Sequence, residues 1–599
     1  MNNKALTLAI SLACSFTLQG CSSGQDSAGT DDNNDSDNNS RVSSITRSSQ
    51  GINEDAQDRR DHARDRVGRH QFRDNKQGFR EIRSYDGTSN NIDHPLWGAT
   101  WEHLQRIAPS DYSDGISSLA GATRPSARVI SNLIVNQDAG VSIPNTYGTS
   151  DFLWQWGQFL DHDIDLTDGS TNEAENIIIP AGDAFFDPNE TGAIVMDFNR
   201  AIYDMETGTS TNNPRQQENE ISSWIDGSMI YGSDDERNAA LRVSDDSPYL
   251  ASSSNNLLPF NVDDLTNASG FISDTTSLFL AGDVRANESV ALTAMHTLWM
   301  REHNRIAKLL TQQSSRNNNN ESGQDIFEQA RRLVIAKIQK ITFDEYLPAL
   351  LGDNTLPNYN GYKDNINPTI YNEFSTAAYR FGHSEIGDKV LRLDKGGNEI
   401  SAGNLALRDA FFSGINLLKN ENDIDPLLLG LATQPHQAID VQVVNDLRNF
   451  LFGAPGQGGF DLVSLNIQRG RDTGLSSYNA TRVAVGFTRV NSFADITTNT
   501  ALQESLQASY GSVDDIDLWV GGLAEDPLSA QGSQLGELFT AIVAKQFDEL
   551  RAGDRFWYKN YLTNSELDMI KDVTLAKVIR DNTDIKNELQ DNVFFVPEK

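Results

Sequence analysis

The residues with most chemistry to offer stand together between Trp154 and Asp165, where Gln158, Asp161, His162 and Asp163 follow in close succession. A helix through this stretch puts Gln158 and His162, four apart, on one face with Asp161 beside them. Asp163 is turned by about 100° from His162 and points elsewhere. One turn thus offers an amide, an imidazole and a carboxylate to one side, and a second carboxylate to the other. Two acids around a histidine also describe an ordinary solvated turn. Phe152, Trp154, Trp156, Phe159 and Leu160 decide against it, because they make the stretch apolar and buried. A buried acid needs a partner or a metal, since an isolated charge is too costly there.

Four further strings carry side chains that do chemistry. Ser222-Ser-Trp224-Ile-Asp226-Gly-Ser228 alternates oxygen donors along a loop; Arg285 and Glu288 stand three apart ahead of a helix; His383 follows Tyr379-Arg380-Phe381-Gly382; and Asn466 and Arg469 lie in Leu465-Asn-Ile-Gln-Arg469-Gly-Arg471-Asp472. Singly, each is weak. A Ser/Asp loop is common, a histidine after glycine is usually structural, and His296 and His303 read as helix-packing residues. Taken in order, however, these strings resemble the animal haem peroxidase family of the peroxidase–cyclooxygenase superfamily. Ser84–Asn91 and Gly553–Tyr558 look like the family's edge motifs, so the resemblance spans about residues 80–580.

The resemblance implies roles. His162 is the distal histidine, Gln158 orders water or halide over the iron, and Arg285 is the distal arginine. His383 is the iron ligand, Asn466 accepts its ring proton, and Arg469 pairs with a haem propionate. Asp161 and Glu288 are the carboxyls that become esterified to haem b. Asp163, the side chains of Ser222, Asp226 and Ser228, and the Trp224 carbonyl bind calcium. The implied enzyme reduces hydrogen peroxide, with His162 as base and then acid and Arg285 stabilising developing charge. It then oxidises a halide, a pseudohalide or a phenol through a ferryl intermediate. Ser289 stands where some members carry a methionine that makes a third haem bond, which predicts weak chloride oxidation here. A fatty-acid dioxygenase of the same superfamily is the near alternative. Those enzymes place a tyrosine three residues before the proximal histidine, where this chain has Arg380; Tyr379 comes one residue early and falls on a different side of a helical turn. A non-catalytic haem-binding surface protein would not need both His162 and Arg285.

Helices must position these groups. Leu292, Met295, Leu298, Trp299, Ile306 and Leu309 form one stripe with three- and four-residue steps. Ile326, Ala330, Leu333, Val334, Ile338 and Ile341 form a second, which Pro348 closes, and a third runs from Leu538 to Leu550 with Gly553 beyond its end. Alternating strands are few, the best being Lys389 to Leu393. The spacing predicts a mainly α fold, a single large helical domain over residues 80–590 with long loops and little β.

The first eighty residues differ. Lys4 precedes an apolar run ending in Leu18-Gln-Gly-Cys21, which is similar to a bacterial lipobox. Residues 1–20 are expected to be a signal peptide, 21–40 a flexible tether from a lipidated Cys21, and 41–79 a charged arm. This predicts an exported bacterial member, an outer-membrane lipoprotein facing the periplasm or the exterior. Only Cys14 and Cys21 exist, which excludes disulfides, thiolate haem ligation and iron–sulfur clusters from the folded part. A net charge of −35, from 84 acidic against 49 basic residues in 599, excludes a nucleic-acid partner. No protein partner is expected.

Overall fold

A computed structural model of the protein describes residues 81–319 and 321–597; the expected signal peptide, tether and charged arm lie outside the described residues. Six helices matter for the site and the core around it. They are α1 (Ala127–Ile134), α2 (Phe152–Ile164), α3 (Val290–Arg316), α4 (Gly323–Ile341), α5 (Leu462–Asp472) and α6 (Glu537–Ala552). Strand structure is confined to three short antiparallel ladders among the described residues: β1 (Gly169–Ala174) with β4 (Asn199–Ala201), β2 (Ile177–Ile178) with β3 (Val195–Met196), and β5 (Lys389–Val390) with β6 (Leu405–Ala406). The mainly α expectation holds. The strand expected at Lys389 to Leu393 shrinks to β5.

α2 is apolar around most of its circumference and sits inside the core, packed on α3. Trp156, Phe159 and Trp299 meet there at 5.9–6.3 Å between ring centres, with α2 supplying the first two and α3 the third. α3 is 27 residues long, and Ser289 caps it by accepting the Leu292 N–H at 3.2 Å. Its expected stripe is corrected at one position. Leu310 is buried and Leu309 is 40% exposed, because from Ile306 a four-residue step keeps the buried face and a three-residue step leaves it.

α4 starts with a reciprocal capping box between Ser322 and Asp325. Its expected stop at Pro348 is also corrected. The chain passes from α4 through a π-helical turn, Thr342–Tyr346, into a last turn, Leu347–Leu351, which ends at Gly352. Pro348 lies in that last turn, directly after the π-helical turn. Between the helices, buried Arg128 of α1 bridges Asp183 and Asp461, and Asp461 caps α5 through the Val463 N–H.

Candidate active site

α2 shows which of its side chains do something other than pack. Among mostly buried residues, Gly157, Gln158 and Asp161 keep exposed surface. These three and His162 line a cavity of about 330 Å³. Gly157 suits the position, since a Cβ would stand a tight 3.0 Å from the Tyr346 hydroxyl, which would have to give way. Arg285, Glu288 and Ser289, just ahead of α3, line the same cavity, as do Arg380 and His383. Phe411, Leu451, Phe452, Leu462 and Leu465 add apolar wall. Residues far apart in sequence thus converge as expected.

The distal group is tightly tied. Arg285 Nε and its backbone N–H donate to Asp283 Oδ1 at 2.9 and 2.8 Å, and Nη2 donates to Oδ2 at 2.9 Å. His162 Nδ1 lies 3.4 Å from Asp283 Oδ1. Burial, then the Arg285 charge, pushes the His162 imidazole well below its ordinary pKa, so the ring is neutral and able to take a proton. Burial raises Asp161 to about 7, with Asp165 adding to the shift and Arg285 opposing it. Burial likewise raises Glu288 to about 7 against Arg285. Two near-neutral carboxyls therefore stand on the cavity wall.

On the other side His383 sits in a single turn, Gly382–Glu385, that contacts α2. Its Nδ1 lies 2.8 Å from Asn466 Nδ2, while Asn466 Oδ1 accepts from Arg380 Nη1 at 3.3 Å. The expected pair forms, but with the amide reversed: it donates to the ring instead of accepting. Arg380 sets that orientation, because a guanidinium offers only donors and claims the oxygen. Burial, then Arg380, lowers His383 to about 3, which keeps it the neutral imidazole that metals bind.

Arg469 is not on the cavity wall. It bonds Asp472 at 2.8 Å and lies over the Phe198 ring, because the acid three residues on meets it on the same helical face. Tyr379 departs from expectation too. A 3₁₀ turn over Ala378–Phe381 brings it onto the cavity wall, where its hydroxyl is 3.0 Å from that of Tyr346.

Behind α2, Asp163 faces the Ser222–Ser228 loop. Its Oδ1 accepts from Ser228 Oγ (3.0 Å) and Met229 N (3.3 Å), and its Oδ2 from Gly227 N (3.2 Å). Gly227 has φ 76°, a conformation suited to glycine, which turns its N–H to that carboxylate. Ser222 Oγ donates to Asp226 Oδ2 at 2.7 Å. Trp224 is fully buried and donates its ring N–H to Gly87 O at 3.1 Å. Burial and the neighbouring Asp226 push Asp163 well above the carboxylate range; burial lifts Asp226 to about 6. Two buried acids with hydroxyls around them suit a hard divalent cation.

Asp283 and Tyr346 were missed in the sequence. Asp283 could have been found from Asp283-Val-Arg285, an acid two before the expected distal arginine; Tyr346 carries no such signal. His296 and His303 are packing residues as expected. His303 bonds Tyr231 (2.9 Å) and Pro248 O (3.1 Å), and His296 meets Phe159 edge-on.

The cavity fits haem. It has apolar walls, two neutral imidazoles, of which His383 is backed by an amide at Nδ1, and a fixed guanidinium beside His162. A mainly helical fold around such a site defines a haem peroxidase. A family model described as animal haem peroxidase matches residues 82–594, and the chain belongs to that family. It is 35% identical over 530 residues to peroxinectin A of Dictyostelium discoideum, across 86% of this chain and 96% of that one. It is 35% identical over 564 residues to a human peroxidasin homolog, of which it spans only 38%. Peroxidase A of D. discoideum superposes with a TM-score of 0.78 at 34% identity, covering 86% of this chain and 100% of that one. Haem is the cofactor and hydrogen peroxide the oxidant that membership brings. Among the described residues, no helix is long and apolar enough to cross a membrane.

Proposed function

We propose that His162 and Arg285 are the peroxide-reducing pair and that His383 is the haem ligand. One observation carries this: both distal groups and His383 line a single cavity, with His162 neutral and Arg285 locked in place. Haem, when bound at His383, supplies the two-electron redox chemistry. His162 takes the proton from the oxygen that binds and returns it to the oxygen that leaves. Arg285 offers a preorganised positive charge where negative charge develops. Gln158 orders water or a small donor beside His162. Asn466 holds His383; to accept the ring proton its amide must turn, and Arg380 must then give up its bond to Oδ1. Asp161 and Glu288 are the ester-forming carboxyls, and Arg469 reaches a propionate by leaving Asp472. Calcium sits between Asp163 and the loop carrying Ser222, Trp224, Asp226 and Ser228, and stiffens α2 from behind. Halides, thiocyanate or phenols are the donors.

The test is an absorption spectrum of the haem-loaded protein before and after peroxide and then bromide, for wild type and H162A. A Soret band that shifts with peroxide, recovers with bromide, and shifts about 10²–10⁴-fold more slowly in H162A is the expected result. A shift of equal rate in H162A refutes the assignment. Tyr379 on the wall favours a second reading, the fatty-acid dioxygenase, which oxygen uptake with a fatty acid checks. For residues 1–79 we propose export, lipid attachment at Cys21 and a tether to the domain at 80–590. Mass spectrometry of the mature N-terminus reads both the cleavage and the lipid.

A further inference from the structure

We propose that Asp283 is a positioning residue of the peroxide site, holding His162 as the tautomer whose Nε2 lone pair is open and aiming Arg285 beside it. Asp283 does not line the cavity; its side chain is 1% exposed. Its two oxygens take three bonds from Arg285, through the backbone N–H (2.8 Å), Nε (2.9 Å) and Nη2 (2.9 Å). Nη2 also donates to the Asp165 carbonyl at 2.9 Å. The guanidinium is therefore fixed in plane, with Nη1 left over, 3.8 Å from Asp161 on the cavity wall.

The same Oδ1 faces His162. Nδ1 stands 3.4 Å away and has no other partner. That is long for a hydrogen bond, as such contacts often are before a ligand binds. An ionised carboxylate only accepts, so it favours the ring proton on Nδ1 and leaves the lone pair on Nε2. Burial opposes the charge on Asp283, and Arg285 and His162 beside it outweigh burial, holding the carboxyl well below its usual range. Of the other ionisable groups nearby, His296 is pushed down to about 4 by burial and stays neutral, while burial raises Asp161 and Glu288 to about 7.

Asp283→Asn in the holoenzyme tests this. The amide keeps the shape but turns one oxygen into a donor. With the nitrogen in the Oδ2 position it loses the Arg285 Nη2 bond; with the nitrogen in the Oδ1 position it loses the Nε and backbone bonds and presents an N–H to His162 Nδ1, moving the ring proton to Nε2. The association rates of peroxide and of cyanide, which needs the same base but no turnover, are expected to fall together by about 10²–10⁴-fold per haem. Haem content stays unchanged, and the thermal midpoint falls by the few degrees expected of a broken buried pair. Unchanged rates overturn the proposal, as does a loss of haem or stability with per-haem rates intact, which would make Asp283 a structural staple only. If D283N does not fold, ¹⁵N NMR of histidine-labelled wild type in the ferrous carbon monoxide complex decides, with His162 assigned by H162Q. A proton on Nδ1 is expected; a proton on Nε2 overturns the proposal. The proposal rests on the peroxidase reading. The NMR measurement involves no turnover, so a wrong reaction and a wrong tautomer are told apart.

Discussion

Replacing Arg128 by Met tests whether the cavity-facing end of α5 depends on a charge network some distance from the cavity. Arg128 is 1% exposed and bonds Asp183 through Nε (2.7 Å) and Nη2 (3.1 Å) and Asp461 through Nη1 (2.8 Å). Methionine keeps much of the volume and removes every donor, leaving two buried carboxylates. Breaking such a network costs about 3–5 kcal/mol. Unfolding entropy of about 2.1 cal/mol/K per residue over roughly 500 ordered residues amounts to about 1 kcal/mol/K, so the thermal midpoint should fall by about 3–5 °C. Asp183 fixes the pH window. Burial raises its pKa, and the Arg128 bonds, together with those from the Phe186 N–H and Asn132, more than offset that, holding it below the ordinary value of 3.8. A depressed carboxyl contributes stability above its unfolded pKa and loses it as pH falls through the folded one. The R128M deficit should therefore be full at pH 7 and shrink below about pH 4. Asp461 caps α5, which carries Asn466, so R128M should also bind haem less tightly. Calorimetry at pH 7 and pH 3.5, with a haem titration, makes the check. An unchanged midpoint at pH 7, or a larger deficit at the acid end, would refute the reasoning.

Ser289→Ala removes the α3 cap and should cost about 1 kcal/mol, or about 1 °C in the midpoint; Ser289→Met should cost the same in the apoprotein and raise the chloride-to-bromide rate ratio of the holoenzyme. Chelating calcium from protein held at 100 times its Kd should remove about 2.7 kcal/mol, read as a midpoint drop of about 3 °C that calcium, and not sodium, restores. After peroxide turnover, acid–acetone extraction should leave haem attached to wild type and release it from the D161N/E288Q double variant. Extraction of all haem from turned-over wild type would refute both esters.

What could be read from the sequence was whatever a helix's own geometry dictates. The 100° between His162 and Asp163 gave opposite duties to neighbouring residues, and the structure turns one to the cavity and the other to the Ser222–Ser228 loop. The α3 stripe was legible until the choice between Leu309 and Leu310, which depends on where the core ends and not on spacing. Contacts made across the fold were not legible. Asp283 meets His162 only because its loop is laid against α2 and bonded to the Met229 carbonyl. The orientation of Asn466 depends on a neighbour, Arg380, that sequence alone does not place. Tyr379 was misplaced because a regular helix was assumed where a tighter 3₁₀ turn re-aims the side chain.

α2 is a party wall. Its front lines the cavity and its back, one residue out of phase, closes the acidic loop, so both sites share one helical register. Substitutions can alter one side and leave the other intact. A single-residue insertion or deletion between Gln158 and His162 cannot, because a rotation of about 100° relative to Gln158 would turn the imidazole out of the cavity and the carboxylate out of the loop together. This segment can therefore vary in residue type but not in length, and any transplant of the site to another scaffold must carry both tenants of the wall.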